Sequence, residues 1–115
     1  MQTESVAYQR ALNFGKRIVL LSKHLRQEHR EFTLSRQVLR SGTSIGANIA
    51  EARCGFRRKD FTAKIYIALK ECVETQYWLE LLLAGEYLTD AEYRSLGDDC
   101  EELRRMLSAT TRSLQ

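Results

Sequence analysis

The stretch LSRQVLRSGTSIGANIAEA, residues 34–52, has the periodicity of a helix but is built from unusually small residues. At 100° per residue, Leu34, Val38, Ile45, Ile49 and Ala52 fall within about 60° of one another, the apolar stripe of a core-facing helix. Leu39, Gly42, Gly46 and Ala50 lie about 100° further round and form a second seam, where small side chains let another backbone approach closely. Arg36, Arg40, Ser44, Asn48 and Glu51 share the remaining sector, a polar stripe turned to solvent or to a partner. Interior glycines cost about 1 kcal/mol each relative to alanine, and serine, threonine and asparagine are mediocre helix formers. Something must offset that cost. One reading is tight helix packing, with Asn48 a hydrogen-bonded group at the core edge. The other makes Arg40, Ser44, Asn48 and Glu51 a recognition stripe.

The rest of the chain supplies partners for this helix. Ala7, Ala11, Phe14, Ile18, Leu21 and Leu25 follow spacings of four and three, a heptad seam in a first helix that Thr3 can cap. A short connection at 31–33 makes the first two helices antiparallel neighbours. Gly55 can end the second helix, and Arg57, Arg58 and Lys59 suit its carboxyl end, where cations meet the negative pole of the helix dipole. A third seam runs through Phe61, Ile65, Ala68, Cys72, Thr75, Leu79 and Leu82, while Tyr66, Leu69, Val73, Tyr77, Trp78, Leu81 and Leu83 lie outside it. A helix apolar over more than one face buries the excess against another subunit. Gly85 stops this helix, Thr89-Asp90-Ala91-Glu92 is a capping-box signature, and Tyr93, Leu96, Cys100, Leu103, Leu107, Thr110 and Leu114 form the fourth seam. The expected architecture is all-α: one up-and-down antiparallel four-helix bundle over 1–115, with helices near 4–28, 34–55, 59–84 and 90–113.

Composition bounds the function. With 115 residues, 43% hydrophobic, 29% charged and no proline, the chain fits a single helical domain. At this size an unassisted core buries only about two thirds of the unfolded surface, so oligomerisation would help. No apolar run approaches the ~20 residues of a membrane span, and residues 1–10 lack the order of a signal peptide. The expected compartment is the cytoplasm, with no membrane partner. Cys54, Cys72 and Cys100 are odd in number and lack metal-site spacing. Cys72 and Cys100 fall on apolar seams and read as small buried hydrophobes. His24 and His29, five apart, project about 140° from each other and read as solvated surface groups. Neither a nucleophile with its base nor a phosphate loop is present in the pattern, so no enzyme activity, cofactor or metal is expected.

Charge is unevenly divided. Residues 1–59 hold 12 Lys and Arg against 4 Asp and Glu, a balance of +8, whereas residues 60–115 hold 6 against 11, a balance of −5. Opposite charges could simply settle beside one another at the bundle edges, each exposed pair contributing under about 1 kcal/mol. Alternatively a basic face tracks phosphates, or basic and acidic faces of successive subunits join head to tail. The cations most suited to nucleic acid are Arg36, Arg40, Arg53, Arg57, Arg58 and Lys59, on or just after the second helix. The helix-packing and oligomer candidates are Gly42, Gly46, Ala50, Tyr66, Leu69, Val73 and Trp78.

SGTSIGANIAEA at 41–52, followed by Arg57, Arg58, Lys59, Asp60 and Phe61, IALKE at 67–71 and YWLELLL at 77–83, resembles the bacterial four-helix bundle protein family. Its members include proteins encoded in intervening sequences of 23S ribosomal RNA genes, and a distant relative is the accessory variability protein of diversity-generating retroelements. Many members carry Pro where this chain has Gly46 and Gly where it has Ala52. The resemblance implies a homopentameric barrel and an association with ribosomal RNA genes or, in the distant relative, with a reverse transcriptase and its RNA. The expected function is therefore a non-enzymatic, self-assembling bundle with a basic surface for structured RNA. The alternative is a scaffold that docks a protein partner and no nucleic acid.

Overall fold

The computed structural model describes the backbone of residues 2–115 and the side chains from residue 6 onward, so the expected cap at Thr3 lies outside the described side chains. The chain forms α1 (Gln2–His29), α2 (Thr33–Ala52), α3 (Arg58–Ala84) and α4 (Asp90–Ser113). Among the described residues there is no strand. Each helix packs along the next in sequence and α4 closes on α1, while the diagonal pairs stay apart. With connections this short, the outcome is an up-and-down antiparallel bundle, extending 44 × 21 × 18 Å.

The four seams meet in one core. Phe14, Ile18 and Leu25 of α1, Val38, Ile45 and Ile49 of α2, Cys72, Leu79 and Leu82 of α3, and Leu103 and Leu107 of α4 are almost completely removed from solvent. Leu34 and Phe61, at the ends of their seams, are only partly buried. On α4 the buried threonine is Thr111 and not Thr110. A straight α-helix drifts about 20° per heptad from a strict seven-residue repeat, so by the last turn a step of four has replaced the expected three.

Buried hydroxyls are satisfied locally except that of Ser35, whose Oγ has no hydrogen-bond partner among the described residues. Ser22 Oγ donates to the Ser35 carbonyl at 3.2 Å. Thr75 Oγ1 lies 2.8 Å from both the Glu71 carbonyl and Ser41 Oγ, a pattern satisfied if Ser41 donates to Thr75 and Thr75 to the carbonyl. Ser35, Ser41 and Thr75 are fully buried. Small hydroxyl residues thus occupy inward positions of α2 beside its apolar stripe.

The end of α2 differs from expectation, whereas that of α3 agrees. α2 stops at Ala52, because the Cys54 and Gly55 amides turn back to the carbonyls of Glu51 and Ala52 at 3.1 and 3.2 Å. Arg57 therefore begins the next helix and does not end the previous one. α3 ends at Ala84 with Gly85 as its C-cap, and the left-handed residue is the next one, Glu86, with φ 65°. The Tyr87 amide bonds to the Leu82 carbonyl and the Glu86 amide to that of Leu83, the two hydrogen bonds of a Schellman motif.

Candidate nucleic-acid interface

Much of the charge asymmetry is neutralised inside the protomer. Arg10 of α1 pairs with Glu102 of α4, and Arg17 pairs with Asp99 at 2.6 Å while reaching the Ser95 hydroxyl at 2.8 Å. Between α2 and α3, Arg40 binds Glu71 at 3.1 Å and also Glu74, which accepts from the Trp78 indole at 2.8 Å. Glu51 pairs with Lys64 at 2.8 Å. Asn48 donates to the Ser44 carbonyl and hydroxyl at 2.8 and 3.0 Å, one turn back on its own helix. The polar stripe of α2 is thus joined largely to α3 and to itself. Glu101 links α3 to its own helix: Arg104 first, then Gln76 and Arg105 bond its carboxylate and hold it down to about 2.

The expected cations separate into three groups. Arg40 is committed to α3, and Arg53 lies with its guanidinium 4.1 Å from the centre of the Tyr8 ring, a cation–π contact. Arg36 and Lys59 are exposed and make no hydrogen bond or ion pair among the described residues. Arg57 stands 4.0 Å from Asp60, and Arg58 reaches the Leu114 carbonyl at 3.5 Å, both on exposed side chains. Arg53, Arg57, Arg58 and Lys59 are brought to one end of the bundle by the turn between α2 and α3; Arg36 starts at the other end of α2.

Local physics makes this turn unusual. Arg57 is the N-cap of α3 in extended conformation and no side chain caps the helix. Arg58 and Lys59 are its first two residues. Cations at a helix N-terminus oppose the positive pole of the macrodipole, at a cost of roughly 0.3–1 kcal/mol each when exposed and unscreened. Beside them Phe56 is 102% exposed. Sequence reasoning passed over Phe56 because it belongs to no seam; its position between Gly55 and three cations was the available signal.

The packing candidates also fall into two sets. A Cβ on Gly42 would lie 2.8 and 2.9 Å from two carbons of the buried Ile18 side chain, so this glycine sets the close approach of α1 and α2. A Cβ on Gly46 would meet Ala11 at an ordinary 3.5 Å. Gly46 and Ala50 line a groove of 310 Å³ between α1 and α2, with Tyr8, Leu12 and Val19 along its wall. On α3, Leu69 and Trp78 pack partly against the core, whereas Tyr66, Ile67, Val73 and Tyr77 are exposed. On α1, Val6, Leu12, Val19 and Leu20 are exposed, with Leu12 and Val19 beside α2 and Leu20 beside α4, apolar surface that the heptad reading did not reveal.

Elsewhere the reactive groups are quiet or scattered. Cys100 Sγ donates to the Cys72 carbonyl at 3.4 Å, and its hydrogen bond to Cys72, followed by burial, pushes the Cys72 thiol far above its ordinary value. Such a thiol is a poor nucleophile. The His24 and His29 rings, expected to point apart, meet edge to face with centres 5.2 Å apart, and His29 similarly meets Tyr87 at 5.4 Å. His29 is in the last turn of α1 and His24 precedes it by more than a turn, so rotation about their side-chain bonds spans the angular gap. Among the described residues no group of three or more His, Cys, Asp or Glu is placed to hold a metal ion, and no helix is long and apolar enough to cross a membrane.

The fold and sequence have clear relatives. A crystal structure of a protein of unknown function from the S23 ribosomal protein family of Bacteroides thetaiotaomicron VPI-5482 superposes with a TM-score of 0.94. It is 47% identical, over 96% of this chain and 98% of that one. Among curated proteins none matches. The family model of the 23S rRNA-intervening sequence protein matches residues 3–109. A match over nearly the whole bundle shows that the chain belongs to the 23S rRNA-intervening sequence protein family.

Proposed function

We propose that this protein is a non-enzymatic, self-assembling helical scaffold of the cytoplasm that binds structured RNA through the cationic turn between α2 and α3. The observation that carries the reading is the run Arg57-Arg58-Lys59 at an uncapped helix N-terminus. These charges weaken the helix they begin, and bound phosphates would remove the conflict by satisfying both the side chains and the helix dipole. The family's association with 23S ribosomal RNA genes supports the same partner class. Recognition of this kind is through backbone and shape, with weak sequence preference.

Assembly uses the apolar surfaces. The α1 and α3 faces bury against neighbouring copies in a ring, with five subunits as the family resemblance implies, so that each protomer adds its turn to a repeated cationic rim. Light scattering should then give a mass well above the 13.3 kDa of one chain; a folded monomer at micromolar concentration would refute assembly. For RNA, changing Arg57, Arg58 and Lys59 together to Ala should weaken binding and flatten its salt dependence, each lost contact removing up to about 0.9 from the logarithmic slope by the duplex-DNA estimate. An unchanged slope excludes this surface. A protein-docking scaffold is the second reading, favoured by the use of Arg40 and Arg53 inside the protomer; it gains if the wild type binds no RNA at low salt.

A further inference from the structure

We infer that Phe56 is a stacking platform for an unpaired nucleobase, so that the RNA taken at this turn is a loop, bulge or single-stranded end and not an uninterrupted duplex. The inference rests on the RNA reading above and narrows it. Phe56 is 102% exposed, with the ring free of the core. Val19, Val73 and Tyr77 are also exposed but sit on helix faces, and Phe32, the N-cap of α2 at the other end of that helix, is only about half exposed at 52%. Phe56 instead stands at a turn with Arg53, Arg57, Arg58 and Lys59 nearby in the chain.

That setting discriminates between partners. A protein interface centred on this ring would have to desolvate the surrounding cations, which is costly unless each finds a buried counterion. A nucleotide supplies both a π face for the ring and a phosphate for the cations, without removing the charges from water. Beside the ring lies a cleft of 640 Å³ lined by Gly55, Ala63, the Glu51–Lys64 ion pair and Asp60, whose carboxylate stands 4.0 Å from Arg57. It leaves open space next to Phe56 for a planar ligand. In A-form duplexes the bases are stacked inside and the deep groove excludes side chains, so an aromatic side chain engages splayed bases.

The test uses the full chain and two labelled RNAs with the same number of phosphates, one a hairpin with an unpaired loop and one a fully paired duplex. Wild type should prefer the hairpin. Phe56→Leu should lose roughly 5- to 150-fold in hairpin affinity, the range expected for one base on one aromatic, with duplex affinity and salt slope unchanged. Phe56→Tyr should restore hairpin binding. Unchanged hairpin affinity in Phe56→Leu, or equal losses on both RNAs, overturns the stacking role while leaving the cationic site standing. Dissociation of the assembly by Phe56→Leu also overturns it, by making the ring a subunit contact. Failure of the wild type to bind either RNA removes the RNA reading itself, and the stacking role with it.

Discussion

At the end of α3 the chain closes with a Schellman motif, and α4 then opens with Thr89 accepting from the Glu92 amide at 3.1 Å while the Glu92 carboxylate accepts from the Thr89 amide at 2.9 Å. Asp90 and Glu92 stand in the first turn of α4, where the dipole favours them, and the backbone bond to Thr89 lowers the Glu92 pKa below its ordinary value. At the start of α3 nearly every one of these rules is reversed. No side chain caps the helix, the N-cap and the next two positions are cationic with Asp60 as the acidic residue of the first turn, and an uncovered phenylalanine precedes them. Both turns join antiparallel neighbours and both span five residues, so geometry does not force the contrast. Local rules broken with little compensation, here only Asp60 against three cations, mark places shaped by something other than folding. The α3–α4 turn is built for stability, whereas the α2–α3 turn leaves its cations and Phe56 exposed.

The contrast presumes that stability resides in the bundle and in the capped turn, which sets the largest expected effect in the middle of α2. Gly42→Leu should overpack against Ile18 and cost about 1–3 kcal/mol or more. Gly46→Leu, at the open groove, should keep helicity and melting behaviour closer to wild type and act mainly on assembly. Equal urea midpoints for the Gly42 variant and wild type would show that the α1–α2 approach is not close after all. Next, Thr89→Ala removes one half of the capping box and should destabilise by about 0.5–2 kcal/mol in denaturant titration. A smaller effect of opposite sign is expected at the other turn. Arg57→Ser would place a good N-cap on α3 and remove an opposing charge, so the free protein should gain about 1 kcal/mol. A loss of stability would mean that the arginine supports the fold and that the contrast between the turns is not functional.

The smallest effect is electrostatic and concerns Glu101, which belongs to neither turn. Its pKa is lowered from 4.5 to about 2 by Arg104, Gln76 and Arg105. A carboxylate depressed in the folded state contributes stability above its unfolded pKa and loses it as pH falls through the folded value. The advantage of wild type over Glu101→Gln should therefore be constant at neutral pH and shrink between about 4.5 and 2. An advantage that stays flat through that window would show that the ion-pair cluster is not formed in solution.

Legibility in the sequence followed the strength of the local signal. The Thr89–Glu92 box is a short-range pattern and was readable as such, as were most seam residues of the four helices. Thr111 was missed because a heptad template is slightly shorter in period than the helix it describes. The end of α2 was misplaced by three residues, since glycine at 55 marks a break without showing how far back the turn begins. That shift moved Arg57, Arg58 and Lys59 from a favourable helix end to an unfavourable one and changed their meaning. Nothing in the spacing of Arg40 distinguished it from Arg36, yet one binds two glutamates of α3 and the other is unpartnered among the described residues.

By itself the sequence determined the helix count, the order of the seams, the capped start of α4 and the division of charge between the two halves of the chain. These are properties of spacing and composition, repeated over many residues and therefore robust to local error. Only the tertiary structure decided which cations remain available, which of two glycines is in steric contact, and which apolar side chains stay uncovered. Those outcomes depend on what lies across the interhelical gap: Ile18 opposite Gly42, Glu71 and Glu74 opposite Arg40, and open solvent around Phe56. A one-dimensional pattern specifies the face on which a residue sits, whereas its partner comes from a helix distant in the chain and is set by packing.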